Sequence, residues 1–152
     1  MDKYEVAEIL NEIGTLLELK GENPFKTRAY TNGARTIEGL TEPLEKIIEE
    51  ERLGEIKGIG KALQEKITAL VTTGELEYYD TLKASVPEGL VAMTEIPGLG
   101  PKKVVAIHKN LGIESLEALE AACKAGEIAP LAGFSKKSET KIIEGIEHMR
   151  KY

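Results

Sequence analysis

Residues 55–66 read EIKGIGKALQEK, and forty positions further on residues 95–100 read EIPGLG. In both copies an apolar residue, one spacer, Gly, an apolar residue and Gly precede a segment of helical spacing, which in the first copy carries Leu63, Ile67 and Leu70 as its inner stripe. Glycines at the mouth of a helix lower its propensity by roughly 1 kcal/mol each relative to alanine. A repeated pair therefore needs a reason. A degenerate third copy, Leu131-Ala132-Gly133-Phe134-Ser135-Lys136-Lys137, precedes the last helical segment, with Ser135 where the second glycine should stand.

The reason is electrostatic and steric. Glycine admits positive φ in a tight turn and lets an anion approach the backbone without meeting a Cβ. The helix that follows offers unpaired N–H groups and the positive end of its dipole. Such a turn suits a phosphate of a nucleic-acid backbone and reads no bases. The predicted contacts are Gly58, Ile59 and Gly60 with Lys61, then Gly98, Leu99 and Gly100 with Lys102 and Lys103, and more weakly Gly133 with Lys136 and Lys137.

Composition agrees with local rather than diffuse binding. The 152 residues hold 20 Lys and Arg against 26 Asp and Glu, a net charge of −6, which excludes a generic cationic coat. One cysteine, Cys123, excludes an internal disulfide and a cysteine-rich zinc site. No apolar run approaches the roughly 20 residues of a membrane span, and the acidic start MDKYEVAE is no signal peptide. A cytoplasmic, nucleoid-associated monomer without membrane contact is the expectation.

Helical periodicity runs throughout. Val6, Ile9, Leu10, Ile13, Leu16 and Leu17 form one amphipathic stripe closed by Lys20-Gly21; Asn23-Pro24 opens a second helix toward Gly39. Thr41 is expected to cap a third, with Leu44, Ile47 and Ile48 inward and Glu49 to Glu51 in water; Leu76, Tyr79 and Leu82 should face inward from a helix over about 75–85. No convincing alternating strand pattern appears. The fold class is all-α, in two small helical units, each built around its own glycine turn and the helices that flank it. Pro87-Glu88-Gly89 marks the boundary, giving 1–86 and 87–152.

The repeats resemble the helix-hairpin-helix motif of DNA repair and replication proteins. Leu19-Lys20-Gly21-Glu22-Asn23-Pro24-Phe25-Lys26-Thr27-Arg28-Ala29-Tyr30, the two glycine turns, Pro87-Glu88-Gly89-Leu90 and the third copy together resemble the start of a bacterial or archaeal family X DNA polymerase. The resemblance implies a lyase-type unit over 1–86 that meets the 5′ side of a gapped or nicked duplex. It implies a fingers-like DNA-binding unit over 87–152. In many such hairpins turn carbonyls hold Na⁺ or K⁺; here these would be Ile56 and Ile59, and Thr94, Ile96 and Leu99. No other cofactor is implied. Nucleotidyl transfer needs three palm carboxylates and two metals, and no such sheet is present in these residues, so no polymerisation is expected from them.

The resemblance also places Lys66 at the position of a Schiff-base nucleophile that opens abasic sugars, and Lys26 and Tyr30 at positions that bind the 5′-phosphate, with Arg28 and Arg35 on the same helix. Two residues depart from the pattern. Ala62 replaces a phosphate-binding lysine and Phe25 a histidine. Lys66 reads equally as a solvated lysine paired with Glu65. His108, His148, Lys141 and Cys123 have ordinary surface or core readings, and Tyr78 reads as a ring shielding the edge of its helix. A protein–protein adaptor that reuses the hairpin without DNA is the competing reading, prompted by the acidic charge.

Overall fold

The computed structural model describes residues 1–151. Every regular element among them is a helix, as the periodicity requires. Two compact units divide between Ser85 and Val86.

In the first unit α1 (Lys3–Leu19) is the central element, packed along α2 (Pro24–Glu38) and touching α4 (Lys61–Thr73) and α5 (Glu77–Ala84). Its Val6, Leu10, Ile13 and Leu16 are fully buried, so one helical stripe supplies much of the core. Asp2 caps α1 by accepting the Glu5 N–H, and Asn23 caps α2 by accepting the Phe25 N–H at 2.8 Å. The short α3 (Leu44–Glu49) departs from expectation: Pro43 occupies its N-cap position and Thr41 makes no capping bond. Proline's fixed φ starts the turn there without a side-chain acceptor. Ile48 is only half-buried, while Leu44 and Ile47 are buried. Leu76 and Tyr79 are likewise half-buried, and Leu76 lies outside α5 at its N-cap.

The second unit contains α6 (Glu88–Met93), α7 (Pro101–Leu111), α8 (Leu116–Lys124) and α9 (Lys136–Lys151). Helix α6 touches α7 and α8, and α8 packs on α9. Gly89 makes the contact with the start of α8 possible: a Cβ there would stand 1.6 Å from the Glu114 carbonyl oxygen and 3.1 Å from Ser115 Cα. Glu139, 7% exposed, accepts the N–H groups of Ile128 and Ala129 at 3.0 and 2.8 Å. It thereby fixes the chain leading into the third glycine turn. Cys123 is a buried core residue whose thiol is pushed up to about 11 by burial and then by the nearby Glu139 and Glu120 carboxylates.

Candidate nucleic-acid interface

The three glycine turns share one geometry. Gly58, Gly98 and Gly133 lie in the left-handed region at φ +95°, +82° and +84°, where a side chain is strained. In each turn the next residue donates its N–H to a carbonyl three residues back: Ile59 to Ile56 at 3.2 Å, Leu99 to Ile96 at 3.0 Å and Phe134 to Leu131 at 3.0 Å. Ile59 and Leu99 are buried, anchoring their turns in the core of each unit. The sequence repeat is thus a structural repeat.

The second glycine is a different matter. Gly60 and Gly100 are N-caps with φ −75° and −77°, ordinary extended values open to any residue. A Cβ built on either meets no heavy atom within 4 Å. Neither backbone conformation nor internal packing requires glycine, and no side chain caps the first N–H groups of α4 or α7. Both helix starts are open to solvent; in α7 the first residue, Pro101, has no N–H and the Lys103 N–H is bonded to the Gly100 carbonyl. The third copy differs here. Ser135 accepts the Ser138 N–H and its own N–H donates to Ser138 Oγ, each at 3.2 Å, so this helix start takes a reciprocal side-chain cap.

The cations of the turns diverge. Lys61 and Lys102 are exposed in the first turns of their helices, as are Lys136 and Lys137 of α9. Lys103 is exposed but bent back: its amine donates to the Gly98 carbonyl at 3.3 Å and lies 5.8 Å from the centre of the Phe134 ring. It braces the second turn against the third.

Around α2 the structure joins some predicted residues and separates others. Tyr30, only 6% exposed, stacks on Tyr78 with centroids 6.3 Å apart and planes 9° from parallel. The half-buried Lys66 places its amine 4.6 Å from the Tyr78 centroid and 6.0 Å from that of Tyr30. Among the described residues it forms no ion pair with Glu65. Burial, and then the neighbouring Tyr78 hydroxyl, hold the Tyr30 phenol well above its ordinary value, so it stays neutral. Lys26 lies elsewhere, on a cleft of about 510 Å³ whose wall includes Tyr78, Lys20 and the apolar Leu17 and Leu82. Arg28 is folded over the exposed Phe25 ring at 5.0 Å, and Arg35 and Ala62 are exposed.

Two of these features were hidden in the sequence. Tyr78 reads as a ring at a helix edge, yet it touches both Lys66 and the cleft. Lys20 reads as a helix-terminal cation, yet its amine donates to Ser85 Oγ at 3.0 Å on the cleft wall. Neither pairing has a sequence signal, since each joins segments more than ten residues apart. His108 pairs with Glu114 at 2.9 Å, and no cluster of metal-ligating side chains occurs among the described residues. Among the described residues no helix is long and apolar enough to cross a membrane.

Comparison with known proteins agrees with this geometry. Residues 1–76 match the model of a helix-hairpin-helix domain, and residues 90–147 match that of a SAM-like helix-hairpin-helix tandem. The chain is 36% identical over 146 residues to the DNA polymerase/3′-5′ exonuclease PolX of Bacillus subtilis (strain 168), covering 96% of this chain and 25% of that protein. The matching portion is the N-terminal part of that family X polymerase, so the chain spans about a quarter of its relative's length. With its paired glycine turns and its match over residues 1–76, the chain belongs to the helix-hairpin-helix domain family.

Proposed function

We propose that this chain binds DNA through backbone phosphates with little sequence preference, and that its preferred substrate is a gapped duplex bearing a 5′-phosphate. The observation that carries this reading is the pair Gly60 and Gly100, glycines that the fold does not need, at uncapped helix starts that open to solvent. A phosphate oxygen fits that vacancy and accepts the unpaired N–H groups. The likeness to a DNA polymerase supports the choice of DNA over a protein partner. In this reading 1–86 is the lyase-type unit and 87–152 the fingers-like unit.

Fluorescence anisotropy with gapped, nicked and intact duplexes, each with and without a 5′-phosphate, tests the proposal. Affinity should fall with salt at a slope near −0.9 per phosphate contacted and be greatest for the phosphorylated gap. Equal affinity for all duplexes removes the gap preference. No binding at low salt favours the adaptor.

A second reading rests on Lys66, whose amine forms no ion pair among the described residues and sits on an aromatic surface. Its nitrogen would add to the aldehyde carbon of an abasic 5′-deoxyribose phosphate, with loss of water, to form an imine. Loss of a C2′ proton then breaks the C3′–O bond and frees the strand with a 5′-phosphate. Borohydride trapping reads this directly. An adduct absent in wild type, or undiminished in Lys66→Ala, ends the lyase reading.

A further inference from the structure

The two functional hairpins differ at a point that their sequence repeat conceals. Both share the turn-closing bond, Ile59 to Ile56 in the first and Leu99 to Ile96 in the second, but in the first the next carbonyl is engaged as well. Ile56 accepts the turn-closing N–H of Ile59, and the Ile59 carbonyl accepts a hydrogen bond from the side-chain Nε2 of Gln64 at 3.0 Å. Only the nitrogen end of an amide can donate to a carbonyl, so the chemistry sets its orientation. Gln64 is half-buried on the first turn of α4, and its backbone N–H donates to Gly60 O at 2.9 Å. Its amide is packed so closely on Gly54 that a Cβ there would lie 3.3 Å from Oε1 and 3.4 Å from Nε2. The amide is therefore held in place.

The second hairpin has no counterpart. Forty positions on from Gln64 stands Val104, fully buried and without a donor. Among the described residues the Leu99 and Thr94 carbonyls accept no hydrogen bond, and Lys103 reaches a different oxygen, that of Gly98. Two unpartnered carbonyl oxygens, with the lone pair that Ile96 keeps beside its bond from the Leu99 N–H, suit Na⁺ or K⁺.

We propose that the Gln64 side-chain amide takes the place of a monovalent cation in the first hairpin, and that cation dependence belongs to the second hairpin alone. The amide carries two N–H donors. One satisfies the Ile59 carbonyl, as a cation would, and the other is available to the phosphate on the same rim. The second hairpin leaves the carbonyls of Thr94, Ile96 and Leu99 to the Na⁺ or K⁺ that the resemblance implies. This assignment rests on the DNA-binding reading for its purpose, though not for its first measurement.

Thallium(I), a potassium mimic, is titrated into the full chain and followed by ²⁰⁵Tl NMR, for wild type, Gln64→Met and Gln64→Glu. Methionine fills the same space without a donor, and glutamate presents an acceptor to the carbonyl; a thermal melt verifies that each variant is folded. Wild type should bind one thallium ion and each folded variant one more. Anisotropy on gapped DNA, in potassium and in tetramethylammonium chloride of equal ionic strength, gives the second reading. Loss of the charge-assisted contact should make the variants about tenfold more sensitive to the exchange than wild type. An unchanged ion count in both folded variants overturns the assignment. Absence of DNA binding by wild type in either salt instead overturns the proposed function, while the thallium count still decides the role of Gln64.

Discussion

The amine of Lys66 on α4 stands 4.6 Å from the centroid of the Tyr78 ring on α5, and that ring is itself stacked on Tyr30 of α2. One side chain thus links three helices of the first unit at the residue with most chemical interest. The face of an aromatic ring attracts an ammonium group, and aromatic pairs add to the area they bury. Tyr78→Leu should therefore destabilise the protein by about 1–2 kcal/mol, while Tyr78→Phe, which keeps the ring face, should cost much less. Urea midpoints measure both. Equal losses would mean that the hydroxyl, and not the ring, holds the cluster.

Gly60 and Gly100 give the sharpest separation of folding from binding. Gly60→Ser and Gly100→Ser introduce the residue already used at position 135, where it caps its helix. Serine is at least as good an N-cap as glycine, so melting temperatures should hold or rise. Each hydroxyl and Cβ would occupy the phosphate's place, and DNA affinity should fall about tenfold or more. Unchanged affinity in both variants would point to a turn built only for folding.

Glu139 accepts two backbone N–H groups while almost fully buried. Glu139→Ala leaves Ile128 and Ala129 with unpaired donors and should cost about 2–3 kcal/mol, read from chemical denaturation. Direct contact of Glu139 with DNA is not part of this expectation. A loss under roughly 0.5 kcal/mol would show that water replaces the carboxylate easily.

Glu51 is the only non-glycine residue at positive φ among those described, at +55°, just past the end of α3. The left-handed conformation costs a side-chain-bearing residue about 1–2 kcal/mol, and glycine is the usual residue there. Glu51→Gly should raise stability by up to about 1 kcal/mol, since greater freedom of the unfolded chain offsets part of the gain. A thermal melt that shifts downward would refute this.

The Arg52 guanidinium forks onto Glu42, with Nη1 to Oε2 at 3.0 Å and Nη2 to Oε1 at 2.9 Å, and also reaches Glu50. The hydrogen bonds and charge of Arg52 hold the Glu42 carboxyl below its ordinary value. A carboxylate depressed in the folded state stabilises above its unfolded value, and that contribution disappears as pH falls through the folded one. Wild type and Glu42→Gln should therefore differ in melting temperature near neutrality and converge in acid. A gap that persists in acid would assign the difference to packing.

Much of this protein follows from local sequence alone. The 3.6-residue stripe of α1, the Asn23 cap and the glycine turns are short-range features, so periodicity and positive-φ chemistry expose them directly. Even there, α3 starts beyond the predicted Thr41 because Pro43 supplies the turn without a capping oxygen. The division of labour within the glycine pairs was not legible. That the first glycine is needed for φ and the second for open space depends on what surrounds each Cα. Tertiary packing also decided that Lys66 lies on Tyr78, that Lys26 belongs to a cleft with Lys20, and that Gln64 fills the first turn while Val104 leaves the second open. Sequence spacing sets the turn and the helix after it; which side chains from distant segments meet there is set only when α1, α2, α4 and α5 bury their apolar stripes together.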